Sequence, residues 1–397
     1  MSFLKRWFLP ADAKDNVCPF PPPYRGMVAI NSDVECTSWE GQLAWFELLA
    51  QRDLETAFSF WLFSSPALAW RLFEEDGRFA SCAPTALHLI RQGLLDTVHS
   101  YGDAHHAGGA RIDRKRIAEA LRILASEGAK APVYTNHGGE QDKQNIGGDW
   151  ATYQEGDIPG AALYHLDIAH DYGFQFFWTD IDYHNDIRAF RPDIAGAGAL
   201  FTPQQCRDGS HILRFKRYRG PLSYAPTATN LAEQVAPVLD TPPEGHLVIY
   251  QHLGCHRQPD GKPVMAQKPW LDAEGVAALD RMAQQQRDGL YIVTTTAKLL
   301  RHAAMMAARP WRIVRMEESV VVEFETEIAL GPVRLPLDWD WLAGWTLHLK
   351  QPVDVSLRLG NKTRKVVPFT SNGKLYAGIP WTRIDMGREV EEAMSLG

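Results

Sequence analysis

The chain has 397 residues, 45% of them apolar, with a formal net charge of −7 and a pI near 6.1. That length exceeds one ordinary small domain and suits a barrel-sized unit with an appendage. The acidic balance, with no basic stripe, argues against a nucleic-acid partner, and no run approaches the roughly 18 apolar residues of a membrane span. The five cysteines, Cys18, Cys36, Cys82, Cys206 and Cys255, are scattered, odd in number and without C-x-x-C spacing. They exclude a zinc knuckle and suit a reducing compartment. Met1 to Pro10 is too short, and too interrupted by charge and proline, for a secretory leader, so a cytoplasmic location is expected.

In chain order, residues 1–24 read as an N-terminal extension closing in Pro21-Pro22-Pro23. Met27-Val28-Ala29-Ile30 is a short buried strand that ends in Asn31-Ser32-Asp33-Val34-Glu35. Ser38 to Arg52 has apolar residues at helical spacing, Ala57 to Phe63 reads as a second strand, and Ser65-Pro66 opens a helix through Trp70 and Phe73. Leu94 to Val98 is a third strand, ending at His99. The amphipathic helix Asp113 to Glu127 follows, then a fourth strand, Ala131 to Thr135, ending at His137. Phe174 to Trp178 is a fifth strand, ending at Asp180, and His211 to Phe215 a shorter one. Leu247 to Gln251 ends at His252; helix Ala273 to Arg287 and strand Leu290 to Thr294 complete the unit. About seven strands alternating with helices imply an α/β fold with a parallel sheet or incomplete barrel over 25–309. Near Pro310 the pattern changes to short β-like runs, such as Ser319 to Glu327 and Val353 to Leu359, so 310–397 is expected to form a β-sandwich-like domain.

Carboxylate or imidazole punctuates the carboxyl end of five of these strands, and in βα architectures those ends converge on one rim. Asp33 and Glu35, two apart in an extended stretch, can point the same way, sharing a metal or dividing metal and proton work. His99 and Asp103, four apart around Gly102, can face one cation, with His105 or His106 as alternatives. In Asn136-His137-Gly138-Gly139 the glycines let backbone N–H groups approach an oxyanion or a sugar amide. His252 has the chemistry to protonate a leaving amine. Tyr101 is a candidate to stack on a sugar ring, and Asp180 sits on a polar loop that touches substrate. Mixed imidazole and carboxylate ligation makes zinc the default ion, with cobalt, nickel or iron as alternatives.

The order of these elements resembles the polysaccharide deacetylase (NodB-homology, carbohydrate esterase family 4) group over roughly residues 25–305. The resemblance implies an irregular (β/α) barrel in which Asp33 is the base, Glu35 and His99 are metal ligands and His252 is the general acid. Asp103 stands where that family has its second histidine, four residues after the first. Its third motif, with an arginine and a proline, is matched to Thr135-Asn136-His137-Gly138-Gly139. The implied function is removal of an N-acetyl or N-formyl group from an amino sugar in O-antigen or surface-polysaccharide metabolism. Asp33 and His252 are then catalytic; Glu35, His99 and Asp103 hold the metal; Asn136, His137, Gly138, Tyr101, Asp180 and His105 touch the saccharide. The rival expectations are a non-catalytic carbohydrate-binding protein on a degenerate barrel, and a metal-dependent hydrolase of another bond.

Overall fold

A computed structural model describes residues 16–396 apart from 66–67, 103–111, 138–141, 148–152, 180–182, 191–198, 223–225, 258–262, 266 and 317. Its centre is β1 (Met27–Ser32), every residue of which is buried. On one edge β1 pairs in parallel with β10 (His246–Gln251) through six consecutive residues, Met27 opposite His246 to Ser32 opposite Gln251. Its other edge is shared: β13 (Ile292–Val293) occupies the start and β2 (Phe58–Phe60) the end.

From there the sheet continues in parallel through β3 (Leu95–His99), β4 (Val133–Thr135) and β5 (Phe176–Trp178). Its outer members are β6 (Tyr183–His184), β7 (Phe201–Gln205), β8 (His211–Phe215) and β9 (Arg217–Tyr218), in the order β6-β9-β10-β1-β2-β3-β4-β5-β8-β7. Strands β8 and β9 are separated only by Lys216, yet β8 pairs with β5 and β9 with β10. One stretch of chain thus reaches both sides, and the sheet curls.

The alternation of strand side chains sorts the core. Val28 and Ile30, with Leu247 and Ile249, pack among the helices of the convex face. These include α1 (Trp39–Ala50), α2 (Ala83–Arg91), α3 (Arg114–Ser126), α4 (Leu166–Tyr172), α5 (Leu231–Asp240) and α6 (Ala273–Arg287). Met27 and Ala29 point the other way, into a cluster with Leu299, Leu300, Ala303 and Met305 of α7 (Thr296–Ala308). Asn31 keeps that parity: its side chain donates to Thr296 Oγ1 at 3.2 Å. The concave face is thus filled from below by the start of α7, and odd-numbered residues beyond β1 are carried to its upper end.

From Trp311 on, the described residues form three small sheets, β14-β15-β19-β20, β16-β17 and β18-β22-β21, where β14 is Trp311–Arg315, β15 Ser319–Phe324, β16 Glu327–Leu330, β17 Val333–Pro336, β18 Thr346–Leu349, β19 Asp354–Leu359, β20 Lys362–Val366, β21 Phe369–Ser371 and β22 Lys374–Gly378. They share the concave core, since Val322, Trp341, Trp345 and Leu347 cluster with Met27 and α7. The final helix α8 (Met386–Met394) crosses to the convex layer, where Met386, Val390 and Ala393 join the other cluster.

The expected helix from Ser65 through Phe73 is not formed among the described residues. Leu72 and Phe73 instead donate their N–H groups to Trp61 and Leu62, and Ala80 donates to Leu72, making an extended arm. The helix of this region is α2, which the sequence reading passed over although Pro84 stands in its first turn.

Candidate functional site

The site lies at the upper end of the concave face. Asp33 is fixed by its N–H, which donates to the Gln251 carbonyl of β10 at 2.8 Å. Cys36, at φ +56°, then turns the chain so that Thr37 N–H returns to the Val34 carbonyl. Between these points Glu35 enters a ring of histidines. His99 Nε2 lies 2.9 Å from Glu35 Oε1, His137 Nε2 3.2 Å and His252 Nε2 3.5 Å. Three imidazoles from three strand ends therefore aim the same nitrogen at one carboxylate oxygen.

Each ring has a different polar group behind it. His99 Nδ1 is 2.7 Å from Thr135 Oγ1, His252 Nδ1 is 2.8 Å from the Pro226 carbonyl, and His137 Nδ1 is 3.5 Å from Asp142 Oδ2. Trp61, itself buried, stacks beside His99 at 6.0 Å between ring centroids and meets His137 edge-on at 5.3 Å. This apolar wall lowers the local dielectric and strengthens the charge interactions beside it.

Burial pushes the Glu35 carboxyl up, but His99, His252 and His137 more than offset it and hold Glu35 well below the usual carboxylate range. Burial depresses the His137 imidazole, yet Asp142 and Glu35 together carry it up to about 10. His252 is likewise depressed by burial and raised overall by Glu35, with a smaller contribution from Asp33.

Asp33 itself faces a cation. Arg217 Nη1 donates to Asp33 Oδ1 at 2.8 Å and to Asn31 Oδ1 at 2.8 Å, and its guanidinium lies 3.7 Å from the Trp178 ring centroid and 4.2 Å from that of Tyr250. Both partners of this ion pair are almost wholly buried. Below it, Asn31 donates to Thr97 and Thr296, Thr97 donates to Asp96, and Asp96 accepts the Ala297 N–H at 2.6 Å. The polar column so formed runs from Asp33 to the first turn of α7.

The donor set fits a divalent cation. Glu35, His99 and His137 offer ligand atoms within 4.8 Å of one another, as do Asp33, Glu35 and His252. Two donors each about 2.1 Å from a tetrahedral ion lie roughly 3.4 Å apart, close to the 2.9 and 3.2 Å separations from Glu35 Oε1. Among the described residues the buried Glu35 Oε2 has no hydrogen-bond partner, a costly state for a carboxylate oxygen that coordination relieves.

Of the residues expected from the sequence, Asp33, Glu35, His99 and His252 come together. His137, read as a substrate contact, stands inside the metal-capable group. Asn136 is buried and exchanges hydrogen bonds with the backbone of Ile146, and Tyr101 is fully buried against Tyr134 and His165. Those contacts make Asn136 and Tyr101 supports for the site floor. Asp103, His105, Gly138 and Asp180 lie outside the described residues. The sequence reading missed Arg217 and Asp142. Arg217 lies in Lys216-Arg217-Tyr218-Arg219-Gly220-Pro221, where an arginine and a nearby proline follow a strand; that was the available signal.

No protein-family model matches the chain, and no curated protein matches it either. Among the described residues no helix is long and apolar enough to cross a membrane.

Proposed function

We propose that this protein is a metal-dependent hydrolase that removes an N-acyl group, acetyl or formyl, from an amino sugar of surface-polysaccharide or O-antigen metabolism. The observation carrying the proposal is the convergence of His99, His137 and His252 Nε2 on Glu35 Oε1, with Asp33 beside them. Glu35, His99 and His137 would hold the ion, with zinc the first choice and cobalt, nickel or iron the alternatives. When bound, such a cation polarises the amide carbonyl and lowers the pKa of water.

The remaining work falls to this chain's own groups. Asp33, oriented by Arg217, accepts the proton of the water that attacks the amide carbon. As the carbon–nitrogen bond breaks, His252 donates a proton from Nε2 to the departing amine. Its Nδ1–H stays committed to the Pro226 carbonyl, so the donating form is the imidazolium, and the raised His252 pKa suits that role. Trp61 and the helix layer keep bulk water from the far side of the histidines.

Arg217 holds Asp33 at 2.8 Å, the residue to which the polysaccharide deacetylase resemblance gives the role of base. His137 answers for that family's second histidine from the neighbouring strand.

The test pairs metal analysis with turnover. Protein purified without chelator is expected to carry one divalent ion per chain and to release free amine from N-acetylglucosamine oligomers. Asp33→Asn should retain saccharide binding and lose turnover, whereas His99→Ala should lose the metal. Saccharide binding that needs no metal, unaccompanied by amine release from N-acetyl or N-formyl sugars, would identify a carbohydrate-binding protein instead. Wild-type metal occupancy in His99→Ala would remove the site as drawn.

A further inference from the structure

The chain reaches His137 and re-enters the described structure at Asp142. From there to Gly147 it buries polar side chains beside the site: Asp142 is 1% exposed, and Gln144 and Asn145 are fully buried. Burying such groups costs several kcal/mol each unless they are paired, and their partners are specific. Gln144 Nε2 donates to the Gly102 carbonyl at 2.7 Å, and Gln144 Oε1 accepts the Tyr101 N–H at 3.1 Å. Asn145 Oδ1 accepts from Ser100 Oγ at 3.0 Å and from His137 N–H at 3.2 Å, while its Nδ2 donates to the His137 carbonyl at 2.6 Å. The segment thus takes over hydrogen bonding where β3 and β4 stop pairing, and it grips His137 by its backbone.

Backbone gripping explains Gln144 and Asn145 but not Asp142. Asp142 Oδ2 accepts from Gln144 Nε2 at 3.3 Å, and the same oxygen lies 3.5 Å from His137 Nδ1. A carboxylate on the far nitrogen of a histidine fixes which nitrogen carries the proton and makes the outward nitrogen a better donor. Behind His252 stands a backbone carbonyl, and behind His99 a threonine hydroxyl at 2.7 Å, with Asp33 Oδ1 farther off at 3.7 Å and already bound by Arg217.

Deepening the function proposed above, on which it rests, we propose that segment 142–147 is the positioning element of the metal site and that Asp142 presents His137 Nε2 to a divalent cation. The spacing of the ligands gives the physical reason. A second histidine four residues after the first on one loop is placed by that loop. A second histidine on the neighbouring strand, as here, needs its own clamp.

The experiment uses the full chain stripped of metal. Zinc affinity is read by competition with a chromophoric chelator, and geometry by the d–d absorption of the cobalt(II) form. Asp142→Ala is expected to weaken zinc binding about 10- to 100-fold at unchanged stoichiometry and to move the cobalt band. Asp142→Asn keeps an acceptor oxygen without the charge, so it should fall between Asp142→Ala and the wild type. A change confined to folding would leave the cobalt spectrum of the folded fraction as in the wild type. If Asp142→Ala does not fold, Asp142→Asn alone decides. Wild-type affinity and spectrum in the Asp142 variants overturn this inference while leaving the proposed function standing. A wild-type protein that binds neither zinc nor cobalt overturns both.

Discussion

Replacing Arg217 with methionine tests the site at its most heavily buried ion pair. The guanidinium is fully buried, bridges Asp33 and Asn31 at 2.8 Å each, and packs against Trp178 and Tyr250. Methionine keeps much of the apolar stem but leaves the Asp33 carboxylate without its compensating cation. Removing one member of a buried pair costs about 3–5 kcal/mol. At about 2.1 cal/mol/K per residue, unfolding this chain releases roughly 0.8 kcal/mol/K. The melting temperature of Arg217→Met should therefore fall by about 4–6 °C in calorimetry. Adding Asp33→Asn removes the stranded charge, so the double variant should melt above Arg217→Met alone. A single variant melting within about 1 °C of the wild type, with no gain from Asp33→Asn, would refute the claim that Arg217 neutralises Asp33.

Further expectations follow from other parts of the fold. Asp96 is buried beneath the site, and that burial raises its carboxyl pKa to about 6 from 3.8. Because the folded pKa lies above the unfolded one, folding binds a proton, and this contribution is full below about pH 4 and lost as pH rises through about 6. The stability of the wild type relative to Asp96→Asn should thus fall by about 2.4 kcal/mol between pH 4 and pH 7 in urea titrations; a pH-independent difference would contradict the assignment. Zinc at 100 times its Kd should stabilise the folded chain by about 2.7 kcal/mol, or roughly 3 °C by the same entropy, an increment that chelator removes and Glu35→Gln lacks. A Cβ at Gly254 would sit 1.8 Å from Thr37 Oγ1, so Gly254→Ala must push the chain after His252 away from the Glu35 turn. Amine release should drop at least tenfold while zinc affinity changes little; unchanged turnover would show that the turn yields without moving His252.

Much of this arrangement was legible in the residues. The buried strand Met27 to Ser32 and its acidic exit, the histidines closing the strands near 99, 137 and 252, and the change of pattern near Pro310 all follow from side-chain period and from apolar runs that stop abruptly at polar residues. These are local signals, because a strand's alternation is written in neighbouring residues. The same local reading misplaced the helix around Trp70: its apolar residues were spaced for a helix, yet their backbone groups pair with the chain after β2.

What the sequence by itself determined was which residue types stand at strand ends, and hence the kind of chemistry available. Tertiary structure alone decided the partners. Arg217 meets Asp33 across 184 positions because residues 211–218 join both sides of the curled sheet. Asp142 meets His137 because a buried loop completes the hydrogen bonding of two strand ends. Thr296 meets Asn31 because α7 fills the concave face. No periodicity encodes such meetings, since each depends on how separate elements pack and on the requirement that every buried polar group find its partner.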